Sequence, residues 1–123
     1  MSEWIAVFIG GGIGSISRYG ISRWLGTTEG GFPVGTLTAN ILSCIVLGLA
    51  WGYFSRYTEV SSSVKLLLMV GFCGGFSTFS TFSLETMKMF QLGQYMMAAG
   101  YICLSILMCV LILVFTTRLF AQG

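Results

Sequence analysis

The sequence contains no histidine and no aspartate, and its 123 residues include only six Lys or Arg, four Glu and one Pro. Without imidazole the chain lacks the usual base and zinc ligand at neutral pH, and without Asp it lacks half of the usual acid repertoire. Hydrolytic and metal-dependent enzymes are therefore excluded as first readings. Charge is scarce as well: an average domain is about a quarter charged, whereas this chain is 8% charged and 55% apolar. So few ionisable groups cannot solubilise so apolar a surface, which makes this a membrane protein. The net charge of +2 comes from scattered cations and forms no nucleic-acid footprint.

Cys44, Cys73, Cys103 and Cys109 all lie in apolar runs with no metal-ligand spacing, and are expected as small hydrophobic fillers.

What charge there is divides the chain. Residues 30–55, 66–84 and 89–117 carry none, and each gap approaches or exceeds the ~20 residues that cross ~30 Å of hydrocarbon as a helix. The first apolar run, Trp4 to Ser17, is 14 residues long, so a spanning helix there must continue through Arg18 towards Arg23 and Trp24. A cleaved signal peptide is the rival for this run, but no basic segment leads it and no small-x-small site follows. The expected architecture is an all-α membrane protein, one domain over 1–123, with four transmembrane helices at about 3–24, 33–55, 63–91 and 95–119. Pro33 stands where a helix can start, and Gln91-Leu92-Gly93-Gln94 reads as a tight turn.

The two sides of this arrangement carry equal numbers of cations. Arg56, Lys65 and Arg118 fall on one side and Arg18, Arg23 and Lys88 on the other. Since the more basic side stays cytoplasmic, three against three gives no bias, and insertion in both orientations with antiparallel pairing is expected. Gly10 with Gly14, and Gly11 with Ser15, form small-xxx-small pairs that let another backbone approach closely. Four helices of this size hardly enclose a pathway alone, so a homodimer is expected.

Polar residues inside hydrocarbon mark helix contacts or a pathway. Thr36, Asn40 and Ser43 or Cys44 share one face of the second helix, and Asn40 brings an amide far from either interface. In the third segment, Gly71-Phe72-Cys73-Gly74-Gly75-Phe76-Ser77-Thr78-Phe79-Ser80-Thr81-Phe82-Ser83 predicts a helix broken at Gly74-Gly75. Broken backbone is tolerated at membrane depth only where protein or water covers it, and its freed carbonyls can hold a cation. Beyond the break, Phe79 and Phe82 share a face, with Ser80, Thr81 and Ser83 on adjacent ones. Positive ring edges, hydroxyls and the Asn40 amide form weak donors without fixed positive charge, which suits a small anion that must bind and leave. Packing is the alternative role for each group, and Tyr101 and Ser105 on the fourth helix fit either.

Taken together, Gly10-Gly11-Gly12-Ile13-Gly14-Ser15-Ile16-Ser17-Arg18-Tyr19, Gly35-Thr36-Leu37-Thr38-Ala39-Asn40 and the Gly71–Ser83 segment resemble the Fluc (CrcB) fluoride channels. The resemblance implies an antiparallel dual-topology homodimer with two pores, passively exporting fluoride across the bacterial inner membrane. It makes Asn40 the pore asparagine, Phe79 and Phe82 the aromatic pair whose edges face fluoride, and Ser80, Thr81 and Ser83 the hydroxyl track. It places Arg18 near the pore mouth, and a structural sodium ion at the dimer centre on the backbone carbonyls of Gly74 and Ser77. Glu85 falls where the family often has an acidic residue; pairing or capping near Lys88 is its other role.

Two rival functions have specific requirements. A small multidrug exporter needs a membrane-embedded carboxylate for proton exchange, whereas Glu3 is terminal and Glu85 lies near Lys88 and a helix end. A non-transporting scaffold would use the polar groups as helix glue, but gains nothing evident from a mid-membrane break. An intramembrane Ser–Lys enzyme would need a lysine beside a buried serine, and Lys65 and Lys88 lie near helix ends.

Overall fold

The computed structural model describes residues 2–121, and among them every regular element is a helix. Helix α1 (Glu3–Leu25) is followed by α2 (Val34–Arg56), which starts directly after the buried Pro33. The third segment opens as α3 (Ser62–Lys65), widens into a π-helical stretch (Leu66–Phe72) and closes as α4 (Cys73–Phe76). After two extended residues α5 (Phe79–Gln91) resumes, and α6 (Tyr95–Ala121) ends the described chain. The turn between α5 and α6 is a Schellman motif: Gln94 N–H donates to the Met89 carbonyl at 2.8 Å and Gly93 N–H to that of Phe90 at 3.1 Å. Gly93 holds φ at +74°, which glycine adopts without strain.

Three helical segments are long and apolar enough to cross a membrane: Val34–Arg56, Ser62–Gln91 and Tyr95–Phe120, with mean hydropathies of 1.7, 1.5 and 2.7. α1 equals α2 in length at 23 residues but is not among them. Its five glycines from Gly10 to Gly20, its serines, and Arg18 and Arg23 lower its hydropathy.

Those small residues do packing work. A Cβ on Gly10 would collide with the Leu67 carbonyl oxygen, and one on Gly14 with that of Phe72. From the other side, a Cβ on Gly71 would lie 2.9 Å from the Val7 oxygen and one on Gly75 2.5 Å from the Gly11 oxygen. α1 and the third segment thus touch backbone to backbone, the arrangement small residues permit in a medium where no hydrophobic drive pushes helices together. The protomer's buried apolar residues are mostly small, including Ala6, Ala39, Ala50, Cys73 and Ala98, whereas Trp4, Phe8, Trp24 and Met96 are more than four-fifths exposed. This inverted distribution is what a lipid or a partner surface requires.

The helix break differs from the expectation in position. Gly74 and Gly75 remain helical within α4, and the chain leaves the helix at Ser77 (φ −85°, ψ 158°) and Thr78 (φ −150°, ψ 116°). Gly75 is small because α1 presses on it, not because the backbone turns there. The break is set instead by side chains: Thr78 Oγ1 accepts the Thr81 N–H at 3.2 Å and so caps α5. Ser77 Oγ donates to the Cys73 carbonyl at 2.9 Å and closes α4.

Candidate functional site

The polar face of α2 expected from its spacing contacts a different partner at each step. Thr36 Oγ1 donates to Glu85 on α5 at 3.0 Å, and Ser43 Oγ donates to the Cys73 carbonyl on α4 at 2.9 Å. Between them Asn40 grips the break itself. Its Oδ1 accepts the Thr78 N–H at 2.8 Å and its Nδ2 donates to the Thr78 carbonyl at 3.4 Å, so one side chain satisfies both backbone groups of Thr78. One Nδ2 hydrogen is left over from this pair.

Beside Asn40 lies a cleft of about 310 Å³, walled by α2, the break, α5 and α6. Asn40, Phe79 and Phe82 line it; so do Ser77, Thr78, Cys44, Ser105 and Cys109. The two phenyl rings stand 5.7 Å apart, inclined at 44°. Phe82 is buried against Tyr101, at 5.0 Å and 54°, while Phe79 is 79% exposed on the single protomer. Of the expected hydroxyl track, Ser80, Thr81 and Ser83 do not line this cleft. Thr78 Oγ1 instead donates to Thr81 Oγ1 at 3.0 Å and lies 3.4 Å from Ser80 Oγ, so these hydroxyls form a cluster at the start of α5, and Ser83 is exposed one turn further on.

Arg18 is placed against the same break from the α1 side. Its Nε donates to the Gly75 carbonyl at 3.0 Å, and it is not among the residues lining the cleft. Glu85 is held by hydroxyls, Thr36 at 3.0 Å and Tyr101 at 3.1 Å, and among the described residues it forms no ion pair with Lys88. Tyr101 is fully buried, its ring edge-on to Phe32 at 5.4 Å and 76°.

The break frees the last four carbonyls of α4 and its cap, Gly74 to Ser77, from their helical partners, and Arg18 takes that of Gly75. In a continuous helix the Gly74 oxygen would take the Thr78 N–H and the Ser77 oxygen the Thr81 N–H, but the first goes to Asn40 and the second to Thr78 Oγ1. Gly74 is exposed, with nothing within 4 Å of where its Cβ would be. Neutral carbonyl oxygens are the donor type a hard cation takes. Among the described residues no cluster of three or more His, Cys, Asp or Glu offers another metal site.

Sequence reasoning missed Thr78 and Cys109. The signal for Cys109 was its position one turn beyond Ser105, which itself follows Tyr101 by one turn, giving α6 a stripe at four-residue spacing. The expectation that the cysteines are buried fillers fits Cys73; Cys103 is exposed, and Cys44 and Cys109 are half-buried on the cleft.

Helices throughout the described residues, three of the helical segments being of membrane length and apolar, define a small multi-pass membrane protein. Within that class the chain belongs to the CrcB-like protein family (Camphor Resistance, CrcB), whose pattern matches residues 5–117. It is 45% identical over 102 residues to Fluoride-specific ion channel FluC 1 of Yersinia pestis, covering 83% of this chain and 80% of that one. It is 44% identical over 106 residues to Fluoride-specific ion channel FluC of Serratia proteamaculans, covering 86% and 84%. Identity to the FluC protein of Leptospira interrogans is 46% over 103 residues, covering 83% and 81%.

Proposed function

We propose that this protein is a fluoride-selective channel that passively exports fluoride across the bacterial inner membrane, working as an antiparallel dual-topology homodimer with two pores. The observation that carries this reading is the opened helix at Ser77–Thr78, which Asn40 holds at both backbone groups while Phe79 and Phe82 line the adjoining cleft. Fluoride is strongly hydrated, so entry requires donors along the whole route. The free Asn40 N–H, the ring edges of Phe79 and Phe82 and the hydroxyls of Ser80, Thr81 and Ser83 supply them without a fixed cation that would trap the ion. The exposure of Phe79 supports a pore completed by a second copy. Arg18 lies at the pore mouth in this reading, its guanidinium raising the local anion concentration. All four long helices span in this reading, α1 packing its glycine face on the third segment and presenting Trp4, Phe8 and Trp24 outward. A sodium ion at the dimer centre sits on the Gly74 and Ser77 carbonyls and supplies a fixed positive charge there.

The test is fluoride efflux from liposomes containing the purified protein, read with a fluoride electrode after addition of a potassium ionophore, with chloride-loaded liposomes as control. Fast fluoride release with little chloride release is expected. Absence of release from a folded protein overturns the proposal.

A further inference from the structure

α2 and α6 lie side by side and run in the same direction. A Cβ on Gly48 would collide with Thr116, and one on Gly52 with the Phe120 ring, so four residues along α2 correspond to four along α6. One turn earlier the same register sets Cys44 level with Ile112, one turn along α6 from Cys109. Cys44 and Cys109 are free thiols, and both line the cleft that Asn40, Phe79 and Phe82 share. Ser105, one turn from Cys109, also lines it with a buried hydroxyl that has no hydrogen-bond partner. Ile106 and Val110 line the cleft beside the two cysteines. Two thiols on one cleft are a donor set for a soft metal.

We propose that Cys44 and Cys109 form a two-coordinate site for a soft d10 cation, of the class of Cu(I), Ag(I) and Hg(II), and that its occupancy closes the cleft to anions. The closing part rests on the channel reading above. Binding replaces two S–H bonds with two metal–sulfur bonds and releases two protons to water, with no change of oxidation state. With Ag(I) the bis-thiolate carries one net negative charge. That charge lies one helical turn from Asn40 and opposes an approaching anion, while the ion fills space in the cleft. The site gives a channel of this kind a sensitivity that needs no dedicated domain: exposure to soft metal shuts the anion route.

The experiment uses silver nitrate in chloride-free buffer on the purified full-length protein carrying Cys103→Ser, which removes the exposed thiol. About one silver per protomer with two sulfur neighbours in X-ray absorption is expected, and fluoride efflux falls by about tenfold or more. Adding either Cys44→Ser or Cys109→Ser, near-isosteric changes checked by unchanged gel-filtration elution, should abolish both effects. Silver held equally well by these variants, or full efflux from the silver-loaded protein, overturns the inference. If the silver-free protein passes no fluoride, the channel reading fails, and the silver stoichiometry still decides the site.

Discussion

Asn40 carries two roles that substitutions can separate. Its amide pairs with both backbone groups of Thr78, and its remaining N–H is available to an anion. Asn40→Ala leaves the Thr78 N–H without its partner; an unmet buried donor costs about 1–3 kcal/mol, so the thermal midpoint should fall along with fluoride efflux. Asn40→Asp keeps the acceptor for the Thr78 N–H but adds a negative charge, so it should remain better folded than the alanine variant and still conduct no fluoride. Equal efflux from the aspartate variant and the parent would remove Asn40 from the route. The phenyl pair divides in the same way. Phe82 is buried against Tyr101 and Phe79 is exposed, so Phe82→Ile should lower stability by about 1–2 kcal/mol and Phe79→Ile by much less. Both should reduce efflux, since isoleucine offers volume without a positive ring edge. Full efflux in both, measured by fluoride electrode, would assign the rings to packing.

At the scale of elements, the contact of α1 with the third segment is decided by two opposing terms. Replacing a helical glycine by alanine gains about 1 kcal/mol in helix propensity. At Gly14, however, the new methyl meets the Phe72 carbonyl oxygen and lies 2.9 Å from the Phe76 nitrogen; overpacking of this kind costs about 1–3 kcal/mol, and backbone atoms cannot move aside as a side chain can. Gly14→Ala should therefore destabilise, whereas Gly12→Ala, with nothing within 4 Å, should be neutral or slightly stabilising, as thermal unfolding in detergent would show. The same contact explains what was legible in the sequence. Small-residue spacing in α1 announced close helix packing because it is a local pattern, and the polar face of α2 was visible because hydrocarbon makes every polar group conspicuous. The break was recognised but placed at Gly74-Gly75, since adjacent glycines are the usual local sign of one. Its actual position depends on the Thr78 N–H meeting Asn40, 38 residues away, and on the Thr78 cap. Local pattern carries no record of such a pairing. For the same reason Asn40, Phe79 and Phe82 could be named as candidates and lie together on the cleft, whereas Ser80, Thr81 and Ser83 lie off it and Thr78 and Cys109 line it.

The antiparallel pair proposed above rests on the surface of the whole molecule and on its charge balance. Phe79 sits four-fifths exposed at the cleft, and Gly74 is exposed beside the break. Unmet backbone and an aromatic pair at membrane depth need a covering surface. In the proposed four-span arrangement three cations lie on each side, which gives insertion no preferred direction and lets one gene product supply both halves of the pair. Shifting that balance tests the arrangement without touching the cleft. Thr27→Lys with Glu29→Lys adds charge to the exposed loop before α2, and Thr58→Lys with Glu59→Lys adds it to the exposed loop after α2. Each pair should fix one orientation, the two opposite to each other, and a C-terminal reporter active on one side only should read accordingly. Either biased variant expressed alone should then give little fluoride efflux, because only parallel copies are present, whereas co-expression of the two should restore it. Full efflux from each variant alone would show that the working unit does not require opposed copies, and the pore would have to be closed by a single orientation of the chain.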